Sequence, residues 1–200
     1  RRMETERWTR TLVREVRAGR LAPPPGSALE AVAAFRDLDG RRLPLAVAGI
    51  ELINFLRPTV AVERHVVFAA MALHARPEWR ERLRTGGPVE AALFAEEVRR
   101  VCPVVPFVAG RALQPFEWRG RRFERGAWVL LDIWGTTLDP RAWTEPDAFR
   151  PERFVSDSVD PDALCPQGGG DPATGHRCPA EAVVLELTGR AARLLAALDY

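Results

Sequence analysis

Apolar residues recur at helical spacing along most of this chain and give way to short β-like runs after Phe107. The helical pattern predicts an amphipathic helix, a short helix capped by Ser27, a long apolar helix and two further helices before Pro103. These segments are 3–18, 28–36, 44–75, 77–83 and 89–101. From Phe107 to Trp134 the pattern predicts short strands, including a hairpin at 116–124. We therefore expect a mainly α protein with a small β region.

Beyond the strands, the segment 135–167 is rich in proline and has no apolar period, so we expect it to be irregular apart from single turns. It leads into a glycine-rich loop, 166–181, which brings Cys178 to the start of a final apolar helix. Pro179 is expected at the first helical position, where its missing N–H is harmless.

Cys178 is the main candidate for chemistry. Unpaired backbone N–H groups and the positive end of the helix dipole would favour its thiolate form, which acts as a nucleophile or a metal ligand. The alternative is an ordinary buried thiol. The three glycines 168–170 and Gly175 suggest that the loop backbone lies against a large flat group, and His176 can donate to an anion at the edge of that group.

Composition narrows the function classes. All 29 basic residues are arginine, which excludes chemistry that requires lysine, such as Schiff bases. The net charge of +2 gives no indication of a nucleic-acid partner. Three irregularly spaced cysteines suggest a reducing compartment, and we expect a cytoplasmic protein without a signal peptide or transmembrane segment. Both ends of the chain read as helix, which suggests a piece of a longer protein.

The long helix 44–75 contains Arg57 followed by Pro58. The proline should kink the helix and open a pocket, and Arg57 should be displaced from helical geometry and carry its charge into an apolar environment. A buried cation requires an anion. That anion is either Glu51 or Glu63, in a structural ion pair, or the carboxylate of a bound ligand.

The helix 89–101 contains Glu97 and Arg100, which are three residues apart and share a face. A solvated ion pair is the simplest explanation of this spacing. Glu96 with Arg99 is the alternative register.

The cysteine loop resembles the haem-binding loop of the cytochromes P450. This resemblance implies haem b as cofactor, Cys178 as the axial ligand of its iron, and His176 as a contact of a haem propionate. Two departures are the four-residue spacer 171–174 and Ala180, where the family often has glycine. The order of the long helix, the Glu97–Arg100 helix and the cysteine loop resembles the C-terminal half of the family's fold.

The Arg57-Pro58 pair resembles the fatty-acid peroxygenase branch of that family, where most members have an acid and an alcohol. The resemblance implies that Arg57, beside Pro58, holds the carboxylate of a fatty acid, and that this carboxylate supplies the acid–base function. Hydrogen peroxide would be the oxidant, and no redox partner would be needed. Hydroxylation is then expected near the carboxyl end of the substrate.

The resemblance further implies a buried structural triad of Glu97, Arg100 and Arg153. Residues 1–200 would form one partial domain, whose front half is absent. The alternatives are a fragment or haem-binding module without independent activity, and a zinc site formed by His176, Cys178 and Cys165.

Overall fold

The computed structural model describes residues 1–156 and 159–199, and helices dominate them. The helices are α1 (Arg2–Arg17), α2 (Ala28–Ala34), α3 (Leu45–Ala75), α4 (Pro77–Thr85), α5 (Pro88–Val101), α6 (Ile133–Thr137), α7 (Arg153–Ser156) and α8 (Glu181–Ala197). The strands are β1 (Phe107–Arg111), β2 (Phe116–Trp118), β3 (Arg121–Phe123) and β4 (Trp128–Asp132). The expected mainly α fold with a small β region is therefore confirmed.

The chain divides into two compact units, Arg1–Ala61 and Val62–Tyr200. In the first unit, α1, α2 and the start of α3 enclose a small apolar core. Its buried members are Val13, Val32, Ala33, Ala48 and Leu52. Gly49 permits α3 to approach α1 closely, because a Cβ at this position would come within 2.6 Å of the Arg10 Cγ.

In the second unit, α4, α5 and α8 pack around Phe94, whose ring lies 5.7 Å from Trp79 and 5.4 Å from Phe149. α8 crosses α5 closely at Gly189, where a Cβ would lie 3.1 Å from the Ala91 carbonyl oxygen. This packing fixes α5 against α8, and the cysteine loop leads directly into α8.

The strands form two antiparallel pairs, β1 with β4 and β2 with β3. The predicted hairpin is the β2–β3 pair. Its turn uses positive φ angles at Arg119 (49°) and Gly120 (72°), and Phe116 stacks on Phe123 at 4.8 Å.

Two expectations about helices were wrong in detail. α3 continues through Pro58 as expected, but Arg57 is helical instead of being displaced, because a proline within a long helix forfeits its own hydrogen bond without ending the helix. α8 begins at Glu181 with Ala180 as its N-cap, so Pro179 is not its first residue. The segment after β4 starts with the short helix α6, in line with the single turns expected there, and the Asp132 side chain accepts a hydrogen bond from the Gly135 N–H at 2.8 Å.

α3 also qualifies the expectation of no transmembrane segment. With 31 residues it is long and apolar enough to cross a membrane, judged by length and composition alone. The core helix of a globular protein meets the same criterion, so this is weak evidence for a membrane span.

Candidate functional site

The backbone of the cysteine loop is held by hydrogen bonds on both sides of Cys178. The N–H of Cys178 donates to the Gln167 carbonyl at 2.9 Å, and its carbonyl accepts from the Glu181 N–H at 3.2 Å. The side chain is half-buried and the thiol is free. Cys178 thus precedes the first turn of α8 instead of capping it.

Glycine is required where this loop folds back on itself. Gly168 has a φ of +97°, and a Cβ there would lie 2.1 Å from the His176 carbonyl oxygen. The His176 N–H donates to the Gly169 carbonyl at 3.1 Å, which brings the two arms of the loop together. Any side chain at position 168 would force these arms apart.

The four-residue spacer of the loop is a self-contained turn. The Asp171 carboxylate accepts hydrogen bonds from the N–H groups of Ala173 and Thr174, both at 2.9 Å, and these bonds lower the pKa of Asp171. The Gly175 N–H closes the turn on the Asp171 carbonyl at 2.7 Å. The extra residues therefore project as a small loop, while the arms that lead to Cys178 stay paired.

The donor set around Cys178 fits haem. A haem iron takes its equatorial ligands from the macrocycle and needs one axial donor from the protein, such as a cysteine sulfur. A structural zinc ion needs about four protein ligands. Within residues 1–156 and 159–199, no group of three or more His, Cys, Asp or Glu side chains could hold a metal ion. The zinc alternative built on His176, Cys178 and Cys165 was therefore wrong; burial raises the pKa of the Cys165 thiol, which further disfavours its thiolate.

Glu97 on α5 lies at the centre of a fully buried charge network. Its two carboxylate oxygens accept from Arg100 Nε and Nη2, both at 2.8 Å, and Oε1 also lies 3.3 Å from Arg153 Nε. The Arg150 backbone N–H donates to the same oxygen at 2.7 Å. The structure thus brings together the three residues Glu97, Arg100 and Arg153 that sequence spacing and resemblance had selected.

Backbone carbonyls from the irregular segment complete the network. Arg100 donates to the carbonyls of Thr137, Pro146 and Ala148 at 2.9–3.1 Å. Burial lowers the pKa of the Arg153 guanidinium. Trp143 lies 5.1 Å from the Arg100 guanidinium and covers one side of it. These charges have no access to solvent, and they tie the irregular segment to α5.

Arg153 donates to the carbonyls of Thr144 and Glu145 and shares that of Ala148 with Arg100, at 2.7–3.0 Å. No sequence pattern indicates such contacts, because backbone carbonyls are present in every residue. The proline-rich composition of 135–167 is the only related signal, since segments without a hydrogen-bonded ladder of their own have carbonyls to offer.

The surroundings of Arg57 differ from those of the arginines in the buried Glu97 network. Its side chain is exposed, contrary to expectation, and it is flanked along α3 by the exposed apolar residues Phe55, Leu56 and Val60. Within the described part of the first unit it has no carboxylate partner, and Glu51 accepts a hydrogen bond from Asn54 at 3.4 Å. The ion pair with Glu51 is therefore absent there. The burial prediction failed because residues 54–60 of α3 are all exposed, so the rest of its unit does not cover the helix there.

The alternative register, Glu96 with Arg99, exists beside the first. Arg99 Nε lies 2.5 Å from Glu96, and its Nη1 lies 2.7 Å from Glu181, the first residue of α8. Glu181 in turn lies 3.3 Å from Arg177 Nε. Sequence reasoning missed Glu181 and Arg177, although their spacing of four residues around Cys178 was a usable signal.

In the part of the chain that the structure describes, Arg111, His65 and His176 belong to neither charge network. Arg111 stacks on Trp128 at 4.6 Å and is exposed. His65 is buried, its Nδ1 has no hydrogen-bond partner among the described residues, and burial together with the Arg99 charge lowers its pKa. His176 is exposed on the arm of the cysteine loop that pairs with Gly169.

Comparison with known proteins gives consistent matches. The family model named cytochrome P450 matches residues 92–172. Geissoschizine oxidase from Alstonia scholaris is 38% identical over 69 residues, which are 34% of this chain and 14% of that enzyme. Tabersonine 6,7-epoxidase isoform 1 from Catharanthus roseus is 37% identical over 65 residues, which are 32% of this chain and 13% of that enzyme.

Solved structures match almost the whole chain. A variant of cytochrome P450 OleT in complex with arachidonic acid is 36% identical with a TM-score of 0.87, covering 98% of this chain and 46% of that one. Cytochrome P450SP alpha in complex with (R)-ibuprophen is 41% identical with a TM-score of 0.87, covering 98% and 48%. Cytochrome P450EX alpha with myristic acid is 41% identical with a TM-score of 0.84, covering 96% and 47%. The chain thus spans about half the length of these structures.

Proposed function

Because the chain belongs to the cytochrome P450 family, whose cofactor is haem b, we propose that it is part of a fatty-acid peroxygenase that uses hydrogen peroxide. A C–H bond near the carboxyl end of the fatty acid and one molecule of peroxide give an alcohol and one molecule of water. Peroxide supplies both the oxygen atom and the oxidising equivalents, so no redox partner is required. Residues 1–200 are then the C-terminal half of one catalytic domain.

The observation that carries this proposal is the environment of Arg57. The Arg57 guanidinium has no carboxylate partner in its described unit, and the same stretch of α3 also exposes the apolar residues Phe55, Leu56 and Val60. This combination suits a ligand with an acid group and an apolar body. The molecules bound in the three solved structures, arachidonic acid, myristic acid and ibuprofen, all have that form. In the peroxygenase branch that Arg57-Pro58 resembles, the arginine has this role.

Each residue of the chain then has a defined task. Cys178 supplies the thiolate, and a thiolate-ligated haem, when bound, supplies the oxidising chemistry. Arg57 fixes the fatty-acid carboxylate, and Pro58 frees the carbonyl four residues before it from its helical hydrogen bond. One carboxylate oxygen of the substrate can take a proton from one peroxide oxygen and return it to the other. His176 donates to a haem propionate at the edge of the loop.

The role of Arg57 is tested in the full-length, haem-loaded protein with a long-chain fatty acid and hydrogen peroxide, followed by identification of the products. Arg57→Ala should abolish turnover while leaving the haem spectrum unchanged, and Arg57→Lys should retain part of it because the charge remains. The matching fatty alcohol, which has no carboxylate, should be a poor substrate for all forms. Equal turnover by the wild type and Arg57→Ala would remove Arg57 from the mechanism.

The role of Cys178 is tested with the reduced protein under carbon monoxide. The wild type should show the red-shifted Soret band of a thiolate-ligated haem, and Cys178→Ala should lose it. Gly168→Ala should weaken haem binding because the added Cβ meets the His176 carbonyl, whereas Gly169→Ala is the matched control, with nothing within 4 Å. A wild-type Soret band at the ordinary position would exclude Cys178 as the ligand.

One observation favours a second function for the isolated 200 residues. The matched structures are about twice as long, and the apolar face around Arg57 is uncovered in its unit. The chain alone would then bind haem without catalysing the reaction. The same assay on residues 1–200 separates the two: haem uptake without product supports the module, and product formation excludes it.

We place the protein in the cytoplasm, with α3 as an internal helix of the fold. Arg57 near the middle of α3 would be costly at the centre of a bilayer. Fractionation of cells that produce the full-length protein tests this location, and recovery in the membrane pellet after a carbonate wash would contradict it.

A further inference from the structure

A second charge cluster, distinct from the Glu97 network, surrounds the root of the cysteine loop. Arg99 is almost fully buried on α5, and its guanidinium lies between two carboxylates, Glu96 at 2.5 Å and Glu181 at 2.7 Å. Glu96 is on the same helix, whereas Glu181 is the first residue of α8. The cluster therefore connects the interior of α5 to the start of the helix that follows the loop.

The second carboxylate oxygen of Glu181 contacts a residue of the cysteine loop. It lies 3.3 Å from Nε of Arg177, the residue immediately before Cys178. The other end of the Arg177 guanidinium donates to the Leu164 carbonyl at 3.1 Å and to the Pro161 carbonyl at 3.4 Å. Arg177 thus ties the loop both to α8 and to the preceding irregular segment.

These contacts involve residues on both sides of Cys178 in the sequence. Arg177 precedes it by one residue and Glu181 follows it by three, and the backbone bonds of Cys178 run to Gln167 and Glu181. The first residue of α8 is therefore held by Arg99, by Arg177 and by the Cys178 carbonyl. A displacement of Glu181 would displace the cysteine with it.

The geometry distinguishes this cluster from ordinary packing. Arg99 Nη1, Arg177 Nε and Glu181 Oε2 are buried without an aligned hydrogen bond among the described residues, so charge attraction, more than hydrogen bonding, holds them. The two positive charges, of Arg99 and Arg177, are balanced by the two negative charges of Glu96 and Glu181. Removing the Glu181 charge would leave the buried Arg99 with Glu96 alone and the partly buried Arg177 without an acid.

We propose that Arg99, Glu181 and Arg177 are positioning residues that set the place and orientation of Cys178 as an axial ligand. This inference rests on the proposed function, because it assumes that Cys178 binds the haem iron. Residues that orient a metal ligand act through that ligand, and their removal changes how firmly the metal group is held. The Glu97 network has no comparable contact with the loop in the described structure.

The experiment uses the full-length, haem-loaded protein and compares Glu181→Gln with Glu186→Gln. Both substitutions remove one carboxylate from α8, but Glu186 forms an exposed pair with Arg190, one turn beyond the loop. Glu181→Gln should accelerate haem transfer to apomyoglobin by about tenfold, the lower end of the range for residues that orient a metal ligand. It should also shift part of the reduced carbon monoxide complex to the ordinary Soret position. Glu186→Gln should change neither property.

A purely structural bridge predicts a different pattern. Glu181→Gln would then lower the unfolding midpoint while haem transfer and the carbon monoxide spectrum stay as in the wild type, and that result would overturn the proposal. Glu181→Asp keeps the charge on a shorter side chain. It should restore part of the haem retention if the carboxylate at this residue positions Cys178. A wild-type protein without the thiolate Soret band would instead refute Cys178 as the ligand, so the two failures are distinguishable.

Discussion

Arg100 and Arg57 both lie on helices, but their surroundings differ. Arg100 is fully buried, binds Glu97 with two nitrogens and donates to three backbone carbonyls. Arg57 is exposed beside apolar side chains, and the described part of its unit offers it no carboxylate. An arginine whose donors are all used by the protein holds the fold together. One whose donors are unused beside an apolar surface is suited to an outside anion.

The largest effect is expected at the centre of the buried network. Glu97→Gln keeps the shape of the side chain but leaves Arg100 and Arg153 without an anion, and breaking a buried ion pair costs about 3–5 kcal/mol. Urea unfolding of the full-length protein measures this loss. Glu81→Gln, which removes an exposed partner of Arg84, is the control and should change stability by less than about 1 kcal/mol. Equal effects of the two substitutions would show that the network is not a structural centre.

A smaller loss should follow from Arg153→Lys, which keeps the charge. Lysine cannot reproduce the forked donation of Arg153 to the carbonyls of Thr144, Glu145 and Ala148. Each buried carbonyl left without a donor costs about 1–3 kcal/mol, although the network can relax around a lysine, so we expect a total of about 2 kcal/mol. The same unfolding measurement applies. An unchanged free energy of unfolding would mean that charge alone matters at this position.

The surroundings of His65 are intermediate between those of Arg100 and Arg57. Its side chain is buried like that of Arg100, but its Nδ1 has no hydrogen-bond partner among the described residues. Burial and the Arg99 charge lower its pKa in the folded state. The unfolded state therefore binds the proton more readily. The stability contributed by neutral His65 is fully present above the ordinary pKa of about 6.5 and decreases as the pH falls towards the lowered value.

Replacing His65 tests this dependence. Between pH 7 and pH 5, His65→Phe should flatten the decline in unfolding free energy by up to about 1.4 kcal/mol per pH unit. His74→Phe, near the end of the same helix, is the control. If the free energy of unfolding falls equally with decreasing pH in the wild type and in His65→Phe, then His65 titrates normally in the folded protein.

The smallest effect on stability is expected at Arg57. Arg57→Ala removes an exposed side chain without a carboxylate partner in its described unit, so the free energy of unfolding should change by no more than about 0.5 kcal/mol. A thermal melt without ligand measures it. Addition of a long-chain fatty acid should then raise the midpoint of the wild type and not that of the variant. A large destabilisation without ligand would assign Arg57 to the fold and end the contrast with Arg100.

Local patterns were sufficient for much of the fold and for the choice of candidates. The apolar period identified α1 to α5, and the turn residues Arg119 and Gly120 identified the hairpin, because these signals act between near neighbours. The three-residue spacing of Glu97 and Arg100 indicated their contact for the same reason. Helix boundaries were less accurate, and α8 begins two residues later than Pro179 suggested.

Sequence patterns were enough to select the candidate residues for chemistry: one cysteine in a loop whose glycines permit positive φ angles, and one arginine before a proline in an apolar helix. The packed fold was needed to show that Arg100 is enclosed by carbonyls from a distant segment, that Arg57 is exposed in its unit, and that Arg99 and Glu181 are connected to the cysteine loop. Periodicity and spacing encode the geometry of a single element. Burial and the pairing of charges depend on which elements meet.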